Sequence, residues 1–218
     1  MNDAIIIQSW FTPDYTRLID LTRDRHAQYA KRHGMDYIAN DMTNQAITTG
    51  MKCYHDIAVI NEALNKGYTY VINADIDIII WDMERDLRKA CIDIRGVRFD
   101  AMRVKHVNIG MTYIKDCDLT RRFIVDWEAQ ARHRTGSQFG SQNAFNIVTG
   151  KYKIPPLDWT WNYCYSQHKG IDKPAVRGYH DFIGFEHKMN AMMEDLDGLT
   201  YGVGFDHKYT KGLYKWEK

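Results

Sequence analysis

Several features that would define a protein class are missing from this chain. Its four cysteines, at positions 53, 91, 117 and 164, include no Cys-x-x-Cys pair, so their spacing suggests neither a zinc site nor a disulfide framework and fits a reducing compartment. Lys and Arg number 29 against 28 Asp and Glu, and a net charge of +1 creates no demand for a polyanionic partner. The opening Met1-Asn-Asp-Ala-Ile-Ile-Ile-Gln-Ser9 has no basic leader, and its apolar run is too short for a signal peptide or membrane anchor. No Asn-x-Ser/Thr acceptor occurs, and there is no internal repeat, heptad array or low-complexity segment. These absences predict a cytoplasmic protein of a bacterial or virus-infected cell.

The chain has 218 residues, 44% of them hydrophobic, enough for a proper core in one domain with a small appended lobe. Ala4 to Ser9 predicts a buried strand. Pro13 then opens a helix to about His33, with Leu18, Leu21, Ala27 and Ala30 at apolar or small positions and Gly34 as its stop. Asp36 to Ala39 predicts a second strand, and Met51 to Leu64 a helix with Ile57, Ile60 and Leu64 on one face, closed by Gly67. A third strand runs from Tyr68 to Ile80. This β-α-β-α-β order predicts a Rossmann-like parallel sheet with its ligand crevice at the strand carboxyl ends. Further on, the pattern predicts a short helix near Glu84 to Ala90, strands over Phe99 to Val104 and Asn108 to Ile114, and helices over Leu119 to Arg134 and Gln142 to Val148. An aromatic loop Leu157 to Tyr163 and a last strand Ala175 to His180 follow. Residues 1–107 form the expected nucleotide-binding half, 108–200 the acceptor side and 201–218 a tail.

The third strand delivers Asp75 and Asp77 between apolar runs. Side chains alternate along extended chain, so two acids at i and i+2 point the same way. At a strand's carboxyl end they can seat a divalent cation and a phosphate-bearing ligand; a plain solvated turn is the alternative.

Other segments fall in a consistent order around these acids. They are Tyr29-Ala-Lys-Arg-His-Gly-Met-Asp-Tyr37, Lys52, Asn108-Ile-Gly110, Ser141-Gln142-Asn-Ala-Phe-Asn146, Trp161-Asn-Tyr163, and Tyr179-His180 followed by Gly184 and Lys188. Together, over about residues 5 to 190, they resemble the GT-A glycosyltransferases with an Asp-x-Asp motif, in their retaining galactosyl- and xylosyltransferase-like branch. Two departures stand out: Ser141 occupies a position where that family has Asp, and the His180 to Gly184 spacing is one residue longer.

The resemblance implies an α/β GT-A fold, a mostly parallel central sheet flanked by helices with a small antiparallel portion on the acceptor side. It implies a UDP-sugar donor, Mn²⁺ or Mg²⁺ held by Asp75, Asp77 and His180, and transfer to an acceptor hydroxyl with retention. Donor contacts would come from Ser9, Trp10, Phe11, Thr12, Asn40, Lys52, Asp75, Asn108, Gly110, Gly184 and Lys188. Catalytic groups would be Gln142 and, as a base, Asp158, and Trp159, Trp161 and Asn162 would meet the acceptor. For Trp10, Phe11 and the other tryptophans, ordinary packing is the competing reading; for His180 it is a hydrogen-bonded core histidine, for Asp41 a turn former, and for His26 and His33 a solvated surface. The acceptor is expected to be a glycan or a modified base of viral DNA. The tail, where Lys208, Lys211, Lys215 and Lys218 alternate with aromatics, could touch an anionic membrane or nucleic acid. Rival readings are a haloacid dehalogenase-type phosphohydrolase and, because of Ser141, a non-catalytic nucleotide-sugar binding module.

Overall fold

Alternation along the first strand decides what each face of the sheet receives. In the computed structural model, which describes residues 2–44, 49–99, 106–133, 140–164, 174–179 and 184–201, this strand is β1 (Ala4–Trp10). Ile5 and Ile7 enter one buried cluster, and Ala4 and Ile6 enter another. The same period of two aims Ser9 toward the first side and Gln8 toward the second.

Helix α1 (Pro13–Arg32) starts with proline in its first turn, where the missing N–H is no loss. It ends where Gly34 takes a φ of 62°. Strand β2 (Asp36–Asp41), helix α2 (Thr49–Asn65) and strand β3 (Tyr70–Ala74) complete the opening unit, with β1 parallel to both neighbours. Then come β4 (Ile78–Ile80), a 3₁₀ turn at Leu87–Ala90, β5 (Ile94–Phe99), β6 (His106–Lys115), α3 (Asp118–Arg132) and α4 (Gly140–Tyr152). A second 3₁₀ turn at Trp159–Trp161, β7 (Tyr163–Cys164), β8 (Val176–Gly178) and α5 (Phe185–Tyr201) close the described chain.

The main sheet has the order β2-β1-β3-β6-β5. Because β6 is antiparallel to both β3 and β5, it alone runs against the other strands of that sheet. A smaller sheet, β4-β8-β7, pairs β4 antiparallel and β7 parallel to β8. Helices α2, α3 and α4 cover one face through Ile57, Ile60, Trp127 and Phe145, and α1 covers the other through Tyr29. Each such large apolar side chain contributes about 1.5–3 kcal/mol when fully buried. A third cluster, Trp10, Leu18, Ile19, Ile79 and Met192, seats α5. No helix among the described residues is long and apolar enough to cross a membrane.

One expectation about the strands needs correction. The run Tyr68 to Ile80 is not one strand: it breaks at the acids, and Ile78–Ile80 leaves the main sheet to pair with β8. A strand that was not expected runs over Ile94–Phe99, and beyond Phe99 the strand expected to reach Val104 lies outside the described residues. Arg95, Gly96 and Arg98 hide the period there. Gly96 sits at a register shift against β6, where an added Cβ would lie 2.5 Å from the Asn108 carbonyl oxygen.

Candidate active site at the strand carboxyl ends

The acidic turn is the crossover between the two sheets. The Asp75 N–H donates to the Gly110 carbonyl at 2.7 Å, continuing the β3–β6 pairing by one residue. The Tyr179 N–H donates to the Asp77 carbonyl at 2.9 Å, extending the β4–β8 ladder backwards. Between them Ile76 is 8% exposed and packs in the cluster of Trp10 and Leu18. With that isoleucine buried, both acids face one cleft. Asp75 is exposed and Asp77 is 8% exposed.

The cleft has a volume of about 240 Å³ and is lined by Ser9, Trp10, Phe11, Tyr15, Leu18, Asp56, Asp75, Ile76, Asp77 and Lys188. Lys188 reaches it from the first turn of α5, which begins beside Gly184, a glycine at φ 87° whose carbonyl accepts from the Lys188 N–H. The Lys188 ammonium forms an ion pair with the Asp77 carboxylate. Burial works against the lysine's charge, yet Asp77 outweighs it and holds the ammonium above the ordinary lysine range.

Asp56 and its neighbour His55 were not anticipated. They stand in α2, which leads into β3, and polar residues facing the crevice of an α/β sheet were the available signal. Burial is the main force raising the Asp56 carboxyl to about 7, with the Asp75 charge adding to it and a hydrogen bond from Asn73 opposing. His55 Nε2 lies 2.9 Å from Ser9 Oγ, which also accepts from Asn40 Nδ2 at 3.3 Å. Phe11 meets the His55 ring edge to face at 5.0 Å. Burial lowers the His55 pKa and so favours the neutral imidazole.

The other sequence candidates divide into three groups. Ser9, Phe11, Trp10, Asp75, Asp77 and Lys188 meet at the cleft. Trp10 is nonetheless 2% exposed, its indole N–H donating to Thr16 Oγ1 at 3.0 Å, so its ring serves the core as well as the cleft wall. Thr12 sits at the N-cap of α1 without a side-chain cap bond. A second group gathers around β6. Asn108 Oδ1 accepts from the Gly110 N–H at 2.8 Å and from Asn162 Nδ2 at 3.2 Å, and both asparagines are buried. Gln142 Oε1 accepts from the Ile109 N–H at 3.4 Å, while Asn146 clasps both the N–H and the carbonyl of Val107. Ser141 is buried, and its hydroxyl has no partner among the described residues.

The third group stands apart. Asp158 is exposed and caps the 3₁₀ turn by accepting from the Thr160 N–H at 2.9 Å. Trp161 packs against Tyr113 at 5.9 Å and under the Arg85 guanidinium, and Trp159 is half-buried in the same turn. Asp41 forms a turn by accepting from the Thr43 N–H and hydroxyl. The Lys52 side chain, His180 and the basic tail lie outside the described residues.

The expectation of a solvated surface for His26 and His33 is corrected. His26 is fully buried and bonded to Gln8, and His33 Nε2 meets the Met83 carbonyl at 2.9 Å. Helical spacing alone does not reveal that β4 folds back over this side of α1.

A divalent cation fits the donor chemistry in a specific way. Three carboxylates, Asp56, Asp75 and Asp77, line the cleft against one ammonium, Lys188. Among the described residues no three His, Cys, Asp or Glu side chains form a ready cage. Mg²⁺-like ions bind through one or two carboxylates plus substrate phosphates, so an open two-acid seat suits an ion that arrives with a diphosphate.

No protein-family model matches the sequence, and no curated protein matches it. Among solved structures, a glycosyltransferase involved in the glycosylation of the major capsid of PBCV-1 is similar with a TM-score of 0.63 and 10% sequence identity. The match covers 88% of this chain and 98% of that one. At that identity the likeness is one of fold. The shared fold is α/β, here a mostly parallel five-stranded sheet flanked by helices with a small second sheet beside it.

Proposed function

We propose that the protein is a metal-dependent glycosyltransferase that moves a sugar from a UDP-sugar to a hydroxyl of a glycan acceptor, with retention of configuration. The observation that carries this reading is the cleft in which Asp75, Asp77 and Lys188 converge at the strand carboxyl ends of a GT-A-like sheet. Asp75 and Asp77 would hold Mn²⁺ or Mg²⁺, with His180 as a third ligand. When bound, the ion would supply positive charge to the diphosphate of the donor.

The chain's own groups have separable tasks. Ser9, Asn40 and the edge-on Phe11–His55 pair form a polar and aromatic wall suited to a nucleoside. Lys188, held in the cleft beside Asp77, would meet the negative charge that grows on a departing diphosphate, and a fixed ammonium there would lower the barrier by stabilising that charge. In the transfer, the bond from the sugar's anomeric carbon to the phosphate oxygen breaks and a bond to the acceptor oxygen forms. The acceptor proton passes to the leaving phosphate oxygen. No carboxylate base is required, which agrees with Asp158 being spent as a cap.

Calorimetric titration with UDP, with and without Mn²⁺, tests the reading. Binding that requires the metal is the expected result. No binding in either condition would overturn it and leave hydrolysis of a phosphate ester as the activity to assay.

A further inference from the structure

Polar side chains enclosed on the α1 face hold the back of the acidic turn. Gln8 Nε2 donates to the Asp75 carbonyl at 2.9 Å. Gln8 Oε1 is met by His26 Nδ1 at 2.8 Å and by the Tyr37 hydroxyl at 2.9 Å. On its other side, His26 Nε2 accepts the Ile80 N–H at 3.2 Å. Arg25 adds a bond from Nε to the Ile80 carbonyl at 2.7 Å and one from its terminal nitrogen to the Trp81 carbonyl at 2.9 Å.

The directions of these bonds determine one another. A backbone N–H can only donate, so His26 Nε2 is an acceptor and the ring proton sits on Nδ1. That proton must find an oxygen, which fixes the Gln8 amide with Oε1 toward His26 and Nε2 toward Asp75. Flipping the amide would set N–H against N–H and carbonyl against carbonyl. Gln8 and His26 are both 0% exposed, so water cannot replace a lost partner. An apolar pair of similar shape would serve packing equally well, and a buried polar network of this kind instead specifies one arrangement.

We propose that Gln8, His26 and Tyr37 are positioning residues of the donor site. They clamp the turn at Asp75 and Ile80, on either side of the metal-seat acids, and so set where both carboxylates stand. The inference rests on the donor-site reading above.

Four variants test it: Gln8→Leu, His26→Leu, Tyr37→Phe, and Tyr29→Phe as the control. Tyr29 is equally buried in α1, but its hydroxyl bonds to the Arg85 carbonyl and the Leu87 N–H, away from the acids. For each, amide hydrogen exchange of residues 74–80, thermal stability and Mn²⁺-dependent UDP affinity are measured. The expected result is exchange at the turn faster by about tenfold or more, and UDP affinity weaker by a similar factor, in the Gln8 and His26 variants. Tyr37→Phe should show a smaller change of the same kind, because Gln8 Oε1 keeps its bond to His26. Tyr29→Phe should lose stability without moving either readout.

The proposal is overturned if exchange and affinity follow thermal stability alone across all four variants, or if folded Gln8→Leu behaves as wild type. Should Gln8→Leu fail to fold, His26→Leu carries the same test, because it removes both the acceptor of the Ile80 N–H and the group that holds Gln8 Oε1. A wild-type protein that does not bind UDP would sink the donor-site reading by itself. Exchange at the turn would then decide the positioning role alone.

Discussion

Behind the Asp75–Asp77 turn, buried and neutral Gln8 and His26 and half-buried Tyr37 close on one another by hydrogen bonds, and the Arg25 guanidinium holds the Ile80 and Trp81 carbonyls beside them. In front of it stand charges, Asp56, Asp75 and Asp77 with the Lys188 ammonium, around an open cleft. The contrast separates two jobs. Neutral bonds in a dry interior hold geometry without a desolvation penalty for charge, and burial depresses the His26 pKa to about 3, so it stays neutral there. In the cleft the Lys188 ammonium offsets Asp77, while burial and then the Asp75 charge raise the Asp56 carboxyl, so more acid than base faces the opening.

The largest expected break comes from the front. Asp77→Asn keeps the size of the side chain but removes the charge that would seat the proposed cation and that pairs with Lys188. Metal-dependent UDP binding should fall below detection in calorimetry while circular dichroism and thermal unfolding show an intact fold. An unchanged UDP affinity in that variant would remove the metal seat from the account.

A smaller break comes from Lys188→Met. The aliphatic stem is preserved and the ammonium is lost, leaving the Asp77 carboxylate, largely shielded from water, without its ionic partner. Stability should drop by about 1–3 kcal/mol. UDP affinity should weaken by about tenfold, corresponding to one charge-assisted contact to phosphate. Lys188→Arg should restore much of the stability, and the two variants together sharpen how far the cleft depends on charge and how far on shape.

The front of the site was far more legible in the sequence than the back. Asp75 and Asp77 announce themselves because acids interrupt an apolar run, and Lys188 is suggested by its place in the order of motifs despite the longer His180 to Gly184 spacing. The opening β-α-β-α-β unit was equally legible, since hydrophobic period and glycine stops agree there. Gln8 interrupts an apolar strand just as the acids do, yet its partners come from residues 26, 37 and 75, and no local period links them. His26 was misjudged for the same reason: its environment is made by Ile80, 54 residues away. The break of the third strand at the acids was hidden because Ile78–Ile80 is as β-prone as what precedes it; only its pairing with β8 separates them.

The smallest expected effect in the wild-type protein is the net of two opposed pH slopes that set the two sides of the turn against each other. His26 titrates at about 3 in the folded protein against 6.5 when free. Between those values the unfolded chain binds the extra proton, so stability contributed by neutral His26 is full above 6.5 and is lost as pH falls toward 3. Asp56 is shifted the other way, from 3.8 to about 7, chiefly by burial and then by the Asp75 charge. Here the folded protein keeps a proton that the unfolded chain releases, so stability is full below 3.8 and is lost as pH rises to about 7. Over roughly pH 4 to 6.5 the two contributions cancel, and wild-type thermal stability should be nearly flat in metal-free buffer. Asp56→Asn removes only the acid's slope. Its melting temperature should exceed wild type by an amount that grows from pH 4 to 7 and then levels, exposing the rising limb set by His26. A difference between the two proteins that stays constant over that range would mean that Asp56 ionises freely, and that the charged front of the turn is better solvated than its position in the cleft implies.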